Sequence, residues 1–482
     1  MSDSQTGAKS AAANGKDTLS RIIRAGLLLT VVFTALAHGA VEPWSVFVYE
    51  SITLLVLLVW ATKIILDKRF EINVPKIALP IVALLAIGLA QSVALTDVEG
   101  RWLSLSKNVE ATRGAVTVLA FLLVSFLMAA NFFQTRERLK GLASFLVIYG
   151  LAMALFALVQ HISWNGKFYW LRPNTVSATP FGPFVNHNHF AGYMEMLIPV
   201  PIAMILTRAV RGEMRLLAGF AAVVMGIAAI ASLSRGGMIS LAAELVFITL
   251  ICLRLARTNK ASERGAARAR TPFAASQVAA VVVIAAVILV GVFWIGADAV
   301  INRVTQGQST ATQTETFHSS RGWVWRDTWT MIKANPLLGV GLGAYGTAFS
   351  IYSASDGSLR VPQAHNDYLQ VVADCGVPGG LIALWFIVTL FRAFRRGVYS
   401  RDPMIAALAL GSGAGAFGLL VHSVFDFNLQ LPSNALLFLL LTAVASNVAA
   451  LASKESPSGI LPAVRREGRE EVAASIARGV SS

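Results

Sequence analysis

GLASFLVIYGLAMALFALVQH, residues 141–161, decides the fold: no side chain in it carries a fixed charge. About 20 apolar residues in a row are what one helix needs to cross a bilayer, where unpaired backbone groups force helices or closed barrels. The run is too long for a barrel strand, so a helix is expected. Arg136, Arg138 and Lys140 stand before it, and the polar stretch WNGKFYW follows at 164–170. Cations at one end and a polar loop at the other give the helix a direction across the membrane, with the cations inside.

The same unit repeats in both directions. Apolar spans are expected at 22–40, 45–66, 76–95, 114–133, 141–161, 189–208, 214–233, 236–256, 273–297, 376–394, 403–422 and 432–452. SLSRGG at 232–237 is the only break between the seventh and eighth. The fold class is therefore all-α: a polytopic membrane helix bundle of about 12 transmembrane helices, with a large external loop region carrying short helices. Composition agrees, since 55% of the 482 residues are hydrophobic and 14% charged, against about 25% charged in a soluble chain. Mean hydropathy is +0.64.

The net charge of +14 does not form a stripe for nucleic acid, so no nucleic-acid partner is expected. It gathers after even-numbered spans instead: Lys63, Lys68, Arg69 and Lys76; Arg136, Arg138 and Lys140; Arg208, Arg211 and Arg215; Arg254, Arg257, Lys260, Arg264, Arg268 and Arg270; Arg392, Arg395, Arg396 and Arg401. That face is cytoplasmic, with both termini. The expected divisions are a disordered cytoplasmic tail at 1–20, an N-terminal bundle at 21–161, an external loop at 162–188, and central helices at 189–297. A large external loop at 298–375, C-terminal helices at 376–452 and a cytoplasmic tail at 453–482 complete the chain. Cys252 and Cys375 fall on opposite sides, and no disulfide is expected.

Chemistry-bearing residues gather toward the external side. FVNHNHFAGYMEMLIP at 184–199 places Asn186, His187, Asn188 and His189 at a helix start, followed by Glu195 inside the span. Asn or His there can cap free N–H groups, but four polar residues exceed that need and suit a sugar- or phosphate-bearing ligand. A carboxylate inside an apolar helix needs a partner or a polar cavity, and Glu50 and Glu244 raise the same question. No spacing there is a strong metal signature. SLSRGGMIS at 232–240 sets Arg235 beside two glycines, a planar charged fork suited to phosphate oxygens.

In SSRGWVWRDTWTMIKANPLLGVGLGAYG at 319–346, Arg321, Trp325 and Trp329 share a helical face, with Arg326 on a neighbouring one. No strand precedes the glycines, so they are not a nucleotide fingerprint. QAHNDYLQVVADCGVPGG at 363–380 offers His365 as the general base, because an unperturbed imidazole titrates near neutrality. Asn366, Asp367 and Tyr368 adjoin it, and Asp367 is the candidate to fix its tautomer. HSVFDFNLQLPSN at 422–434 adds His422 and Asp426 as substrate-lining groups.

An enzyme working outside, without ATP or nucleotide sugars, must draw on an activated donor held in the membrane. A polyprenyl-diphosphate-linked glycan fits, with arginines stabilising the departing diphosphate and a histidine taking the acceptor proton.

NHNHFAGYMEMLIP, SRGG, the Arg321–Arg326 run followed by NPLLGVGLG, and HNDYLQ resemble, in that order, the O-antigen ligase and O-antigen polymerase family of bacterial membrane glycan transferases. The resemblance covers roughly residues 180–380, and the twelve-span layout extends it to nearly the whole chain. It implies metal-independent, inverting glycosyl transfer from an undecaprenyl-diphosphate-linked donor at the periplasmic face of the bacterial inner membrane. Arg235 and Arg321 would grip the diphosphate, His365 would activate the acceptor hydroxyl, and Arg326 would assist. It implies no cofactor. The partners would be the lipid bilayer, the lipid-linked donor, a glycan or lipid-linked acceptor, and other polysaccharide assembly proteins. Ligase and polymerase remain alternatives. So do a secondary transporter, which would use the buried Glu residues, a non-catalytic scaffold of an assembly complex, and a metal-dependent hydrolase built on His187, His189 and His365.

Overall fold

The computed structural model describes residues 2–67, 71–96, 102–174, 179–264, 321–353 and 361–455. The chain is an all-α polytopic bundle. Among the described residues, ten helices are long and apolar enough to cross a membrane. In chain order the helices are α1 (Ser2–Leu36), α2 (Pro43–Asp67), α3 (Ala78–Gln91), α4 (Val109–Phe132), α5 (Arg136–Ile162), α6 (His187–Leu197), α7 (Pro199–Leu206), α8 (Glu213–Ala231) and α9 (Arg235–Arg264). They continue with α10 (Gly322–Ala334), α11 (Tyr345–Tyr352), α12 (Asp367–Val398), α13 (Pro403–His422) and α14 (Pro432–Glu455). Two short antiparallel hairpins, Ala94–Thr96 with Trp102–Ser104 and Lys167–Phe168 with Arg172–Pro173, fold back over one end.

The elements follow the sequence signals with a few differences. α1 starts at Ser2 and so includes the polar residues read above as a disordered tail; its membrane-length part is Asp17–Leu36. The third expected span is helical only from Ala78 to Gln91. At 1.5 Å per residue that helix falls short of a hydrocarbon core about 30 Å thick. The break at SLSRGG is real: α8 ends at Ala231 and α9 begins at Arg235, with Leu233 in a left-handed turn (φ 58°) between them. The expected span at 273–297 lies outside the described residues, as do 298–320 of the external loop.

The α6–α7 segment, α13 and α14 form the centre. Their apolar windows are 100%, 83% and 78% buried, against 28–50% for the other spans, which leaves those others with a lipid-facing side. Small residues bring the central backbones together, as in other membrane bundles. In GSGAGAFG, residues 411–418 of α13, a Cβ at Gly411 would stand 2.9 Å from the Val200 Cα, and one at Gly415 2.7 Å from the Met196 carbonyl.

α12 breaks at Gly376 (φ 67°, ψ −170°), and the break explains the glycine-rich, irregular segment after α10. Pro378 has no N–H to return to the Asp374 carbonyl, and the Val377 N–H donates to Pro336 O instead (2.8 Å). The freed carbonyls of Ala373 and Asp374 accept from Val340 N and Gly341 N at 2.9 and 3.0 Å. The Gln91 amide closes the junction, donating to Leu338 O (2.6 Å) and Asp374 O (2.9 Å) while accepting from Leu342 N (2.9 Å). Buried backbone groups without partners would be costly in this setting, and here these donors and acceptors are matched. The segment thereby ties the end of α10 to α12 and α3.

Among the described residues, the loops that carry the polar motifs meet at one end. His38 donates to Pro183 O (2.8 Å), His187 to Ser232 O (2.8 Å), and Asp367 N to Ser423 O (2.9 Å). The opposite end is tied by Asn73 with Asn131 and by the Arg136–Asp402 ion pair.

A Cβ at Gly376 would lie 2.5 Å from Leu337 O, in a backbone region that L residues rarely enter. Gly376→Ala is therefore expected to destabilise the protein by about 1–3 kcal/mol. Gly141→Ala, on an open helical site, should raise stability by about 0.5–1 kcal/mol. Thermal unfolding in detergent checks both signs.

Candidate functional site

The turn between α13 and α14 delivers the central group. The N–H groups of Phe425 and Asp426 both donate to the His422 carbonyl (2.8 and 3.0 Å), which curls the chain and points the Asp426 side chain inward. That carboxylate is 1% exposed and accepts four hydrogen bonds. Oδ1 takes the Phe427 N–H (2.9 Å) and His365 Nδ1 (3.3 Å); Oδ2 takes Asn188 Nδ2 (2.7 Å) and Arg321 Nη2 (3.3 Å). Four is about the full acceptor capacity of an ionised carboxylate. Burial alone would raise its pKa, but the His365 bond and the Arg321 charge outweigh it and hold the group well below the usual carboxylate range.

His365 occupies a left-handed backbone position (φ 50°), which costs a non-glycine residue energy and recurs at functional sites. Its side chain is 30% exposed. The Asp426 bond at Nδ1 sets the tautomer and leaves the Nε2 lone pair available to a ligand. Its ring packs edge-on against Phe427, with centroids 4.8 Å apart, and His189 meets the same phenyl ring at 4.8 Å. Arg321 stands at the start of α10 with its side chain 38% exposed. Trp325, one turn along α10, donates Nε1 to Ala364 O (3.1 Å) and so fixes Arg321 relative to the residue before His365.

Arg235 is exposed at the first position of α9. The next residue, Gly236, lies so close to His422 that a Cβ would be 2.8 Å from the imidazole, and 3.5 Å from Phe425 Cβ. α9 thus begins against the turn that carries Asp426. His187, bonded to Ser232 O, connects the start of α6 to the loop before Arg235.

The structure accordingly brings Arg235, Arg321, His365, Asp426, Asn188, His187 and His189 to one end of the bundle. Other expected residues serve different ends. Asn186 caps α6 through Asn188 N (2.9 Å), and Asn366 caps α12 through Tyr368 N and Leu369 N (both 3.0 Å). Tyr368 donates its hydroxyl to Leu420 O (2.7 Å). Arg326 is exposed with Nε on Asp327 (3.0 Å). Glu195 and His422 form a fully buried pair beneath the site (3.1 Å).

One expectation is corrected. Asp367 does not fix the His365 tautomer; its Oδ2 accepts from Ser423 Oγ (2.8 Å) and Leu429 N (3.1 Å). The left-handed turn at His365 and the cap at Asn366 swing adjacent side chains apart, so a residue 61 positions away takes that role. Ser423 and Phe427 carry no signal in the sequence beyond their place in the HSVFDFNLQLPSN stretch.

Beside the cluster, a cavity of about 450 Å³ runs between α3, α4, α12 and α14. Leu84, Val118, Val371, Phe386 and Phe438 line its walls, and Asp367 and Gln430 stand at its polar side. A larger cavity, about 610 Å³, lies at the opposite end among Lys63, Asp67, Asn73, Asn131 and Arg138 and holds none of the clustered residues. Among the described residues, no group of three or more His, Cys, Asp or Glu is placed to hold a metal ion.

The sequence profile of the family described as O-antigen ligase matches residues 220–384, which bears out the resemblance carried by the motifs. That stretch contains Arg235, Arg321 and His365; Asn188 lies before it and Asp426 beyond it. No curated protein matches the chain.

A carboxyl held below its ordinary pKa contributes stability that is present above the unfolded value and lost as pH falls through the folded one. The stability difference between wild type and Asp426→Asn should therefore be present at neutral pH and shrink in acid below about pH 4. Its plateau should be about 1–3 kcal/mol, since the substituted amide cannot accept four bonds. Unfolding midpoints across that pH range check it.

Proposed function

We propose that this multi-pass membrane protein transfers a glycan from a polyprenyl-diphosphate-linked donor to an acceptor hydroxyl at the periplasmic face of a bacterial inner membrane. The observation that carries the reading is the convergence of an imidazole and a guanidinium on one buried carboxylate, Asp426, with Arg235 starting a helix against the same turn.

In this reading the acceptor oxygen attacks the anomeric carbon as the bond to the diphosphate oxygen breaks. The hydroxyl proton passes to His365 Nε2. Arg321 and Arg235 receive the negative charge that develops on the departing diphosphate; such fixed donors act most strongly where charge appears in the transition state. Attack opposite the leaving group in a single displacement inverts the anomeric centre. The two guanidiniums supply the cationic charge, so no metal ion is required.

The neighbouring cavity supports a lipid-borne substrate, because its walls are apolar and its polar side adjoins Asp367 and Tyr368, next to His365. The clustered cations at the opposite end, Arg136, Arg138 and Lys140 among them, support this sidedness. Ligase and polymerase share this step and differ in the acceptor.

The test is purified protein in lipid, supplied with a defined polyprenyl-diphosphate-linked glycan and candidate acceptors, with release of polyprenyl diphosphate as readout. At matched folding, Arg321→Ala should lower kcat by about 10²–10³-fold and His365→Ala by about 10²–10⁴-fold. A strong chelator should leave turnover unchanged. Transfer that survives both substitutions would reject the assignment.

A further inference from the structure

The reaction described above leaves one buried Glu–His pair unused. Glu195, on α6, places both carboxylate oxygens on His422 Nδ1, at 3.1 and 3.2 Å, and neither side chain is more than 1% exposed. No substrate can touch them. Ionisable groups inside a membrane bundle are expensive to retain, so the position of this pair calls for an account.

The pair touches both halves of the site. On one side, the His422 carbonyl accepts the two N–H groups that form the Asp426 turn. α6 holds that turn twice on a single face: Asn188 donates to Asp426, and Glu195, two turns further along, holds His422. On the other side, α9 closes directly onto the pair. A Cβ at Gly236 would lie 2.8 Å from the His422 ring, and one at Gly237 3.1 Å from Glu195 Oε1 and 2.7 Å from Ala191 Cβ. Both glycines follow Arg235, and their missing side chains set how near α9 begins to His422.

We infer that Glu195 and His422 are positioning residues, which set the spacing between Arg235 and the Asp426-held His365 by fixing α9 and the α13–α14 turn on one rigid pair. The inference rests on the proposed glycan transfer for its kinetic consequence, but not for its geometric one. Removing the Glu195 oxygens frees the His422 ring, loosens the turn and lets the start of α9 drift. A displacement of about 1 Å in a catalytic group costs roughly 100-fold in rate.

The experiment uses the full chain in lipid and compares wild type with Glu195→Ala, Glu195→Gln and Gly236→Ala. Hydrogen exchange of backbone amides in 423–431 is measured together with kcat and KM for the lipid-linked donor. Glu195→Ala should accelerate exchange in 423–431 while leaving the 207–212 loop at the opposite end unchanged. It should also lower kcat by about 100-fold with little change in KM. Glu195→Gln keeps an oxygen for the His422 N–H and should recover at least tenfold of that loss; a merely structural role would show no such split. Gly236→Ala, which alters neither charge, provides a second route and should also lower kcat. Unchanged exchange in 423–431, or kcat retained in Glu195→Ala and Gly236→Ala, overturns the inference. If wild type transfers no glycan, the proposed function fails, while the exchange measurement still decides the positioning role.

Discussion

A carboxylate taken out of water must be given back what water supplied, and at the polar end of this bundle that demand organises everything around it. Asp426 is almost fully buried, and its two oxygens are matched by an imidazole, a guanidinium, a side-chain amide and a backbone N–H. Each donor comes from a different part of the chain. Removing any one would leave a buried acceptor underused, so α6, α10, the loop before α12 and the α13–α14 turn are held to a common geometry. The same bonds orient His365 and Arg321 while leaving both partly open to a ligand.

Beneath the site, the bundle solves a packing problem with glycine. Four glycines of α9 and α13 allow close contact: Gly236 and Gly237 with the buried Glu195–His422 pair, Gly411 and Gly415 with the backbones of α7 and α6. Gly376, Gly339 and Gly341 perform a different task, letting α12 break and an irregular segment occupy the gap. Irregular backbone persists there because Gln91 and that segment satisfy the freed groups.

The fold was readable because apolar length and the phase of the positive charges are local signals. GLASFLVIYGLAMALFALVQH needs no tertiary context to be recognised as a span. The residues of the site were readable as types in motifs, and Arg235, Arg321 and His365 could be picked out individually. Their pairing was not. The sequence offers Asp367 two residues from His365, yet backbone direction at the start of α12 turns that side chain toward Ser423. Asp426 lies 61, 105 and 238 positions from its three side-chain donors, separations that no periodicity reveals. The burial of Glu195 was legible as a question; its partner His422 lies 227 positions away.

Those separations have a consequence for biogenesis. Asn188, Arg321 and His365 all emerge from the ribosome before Asp426. Until the α13–α14 turn is made, the imidazole and guanidinium have no common anchor. A chain that stops short of that turn therefore lacks the assembled centre.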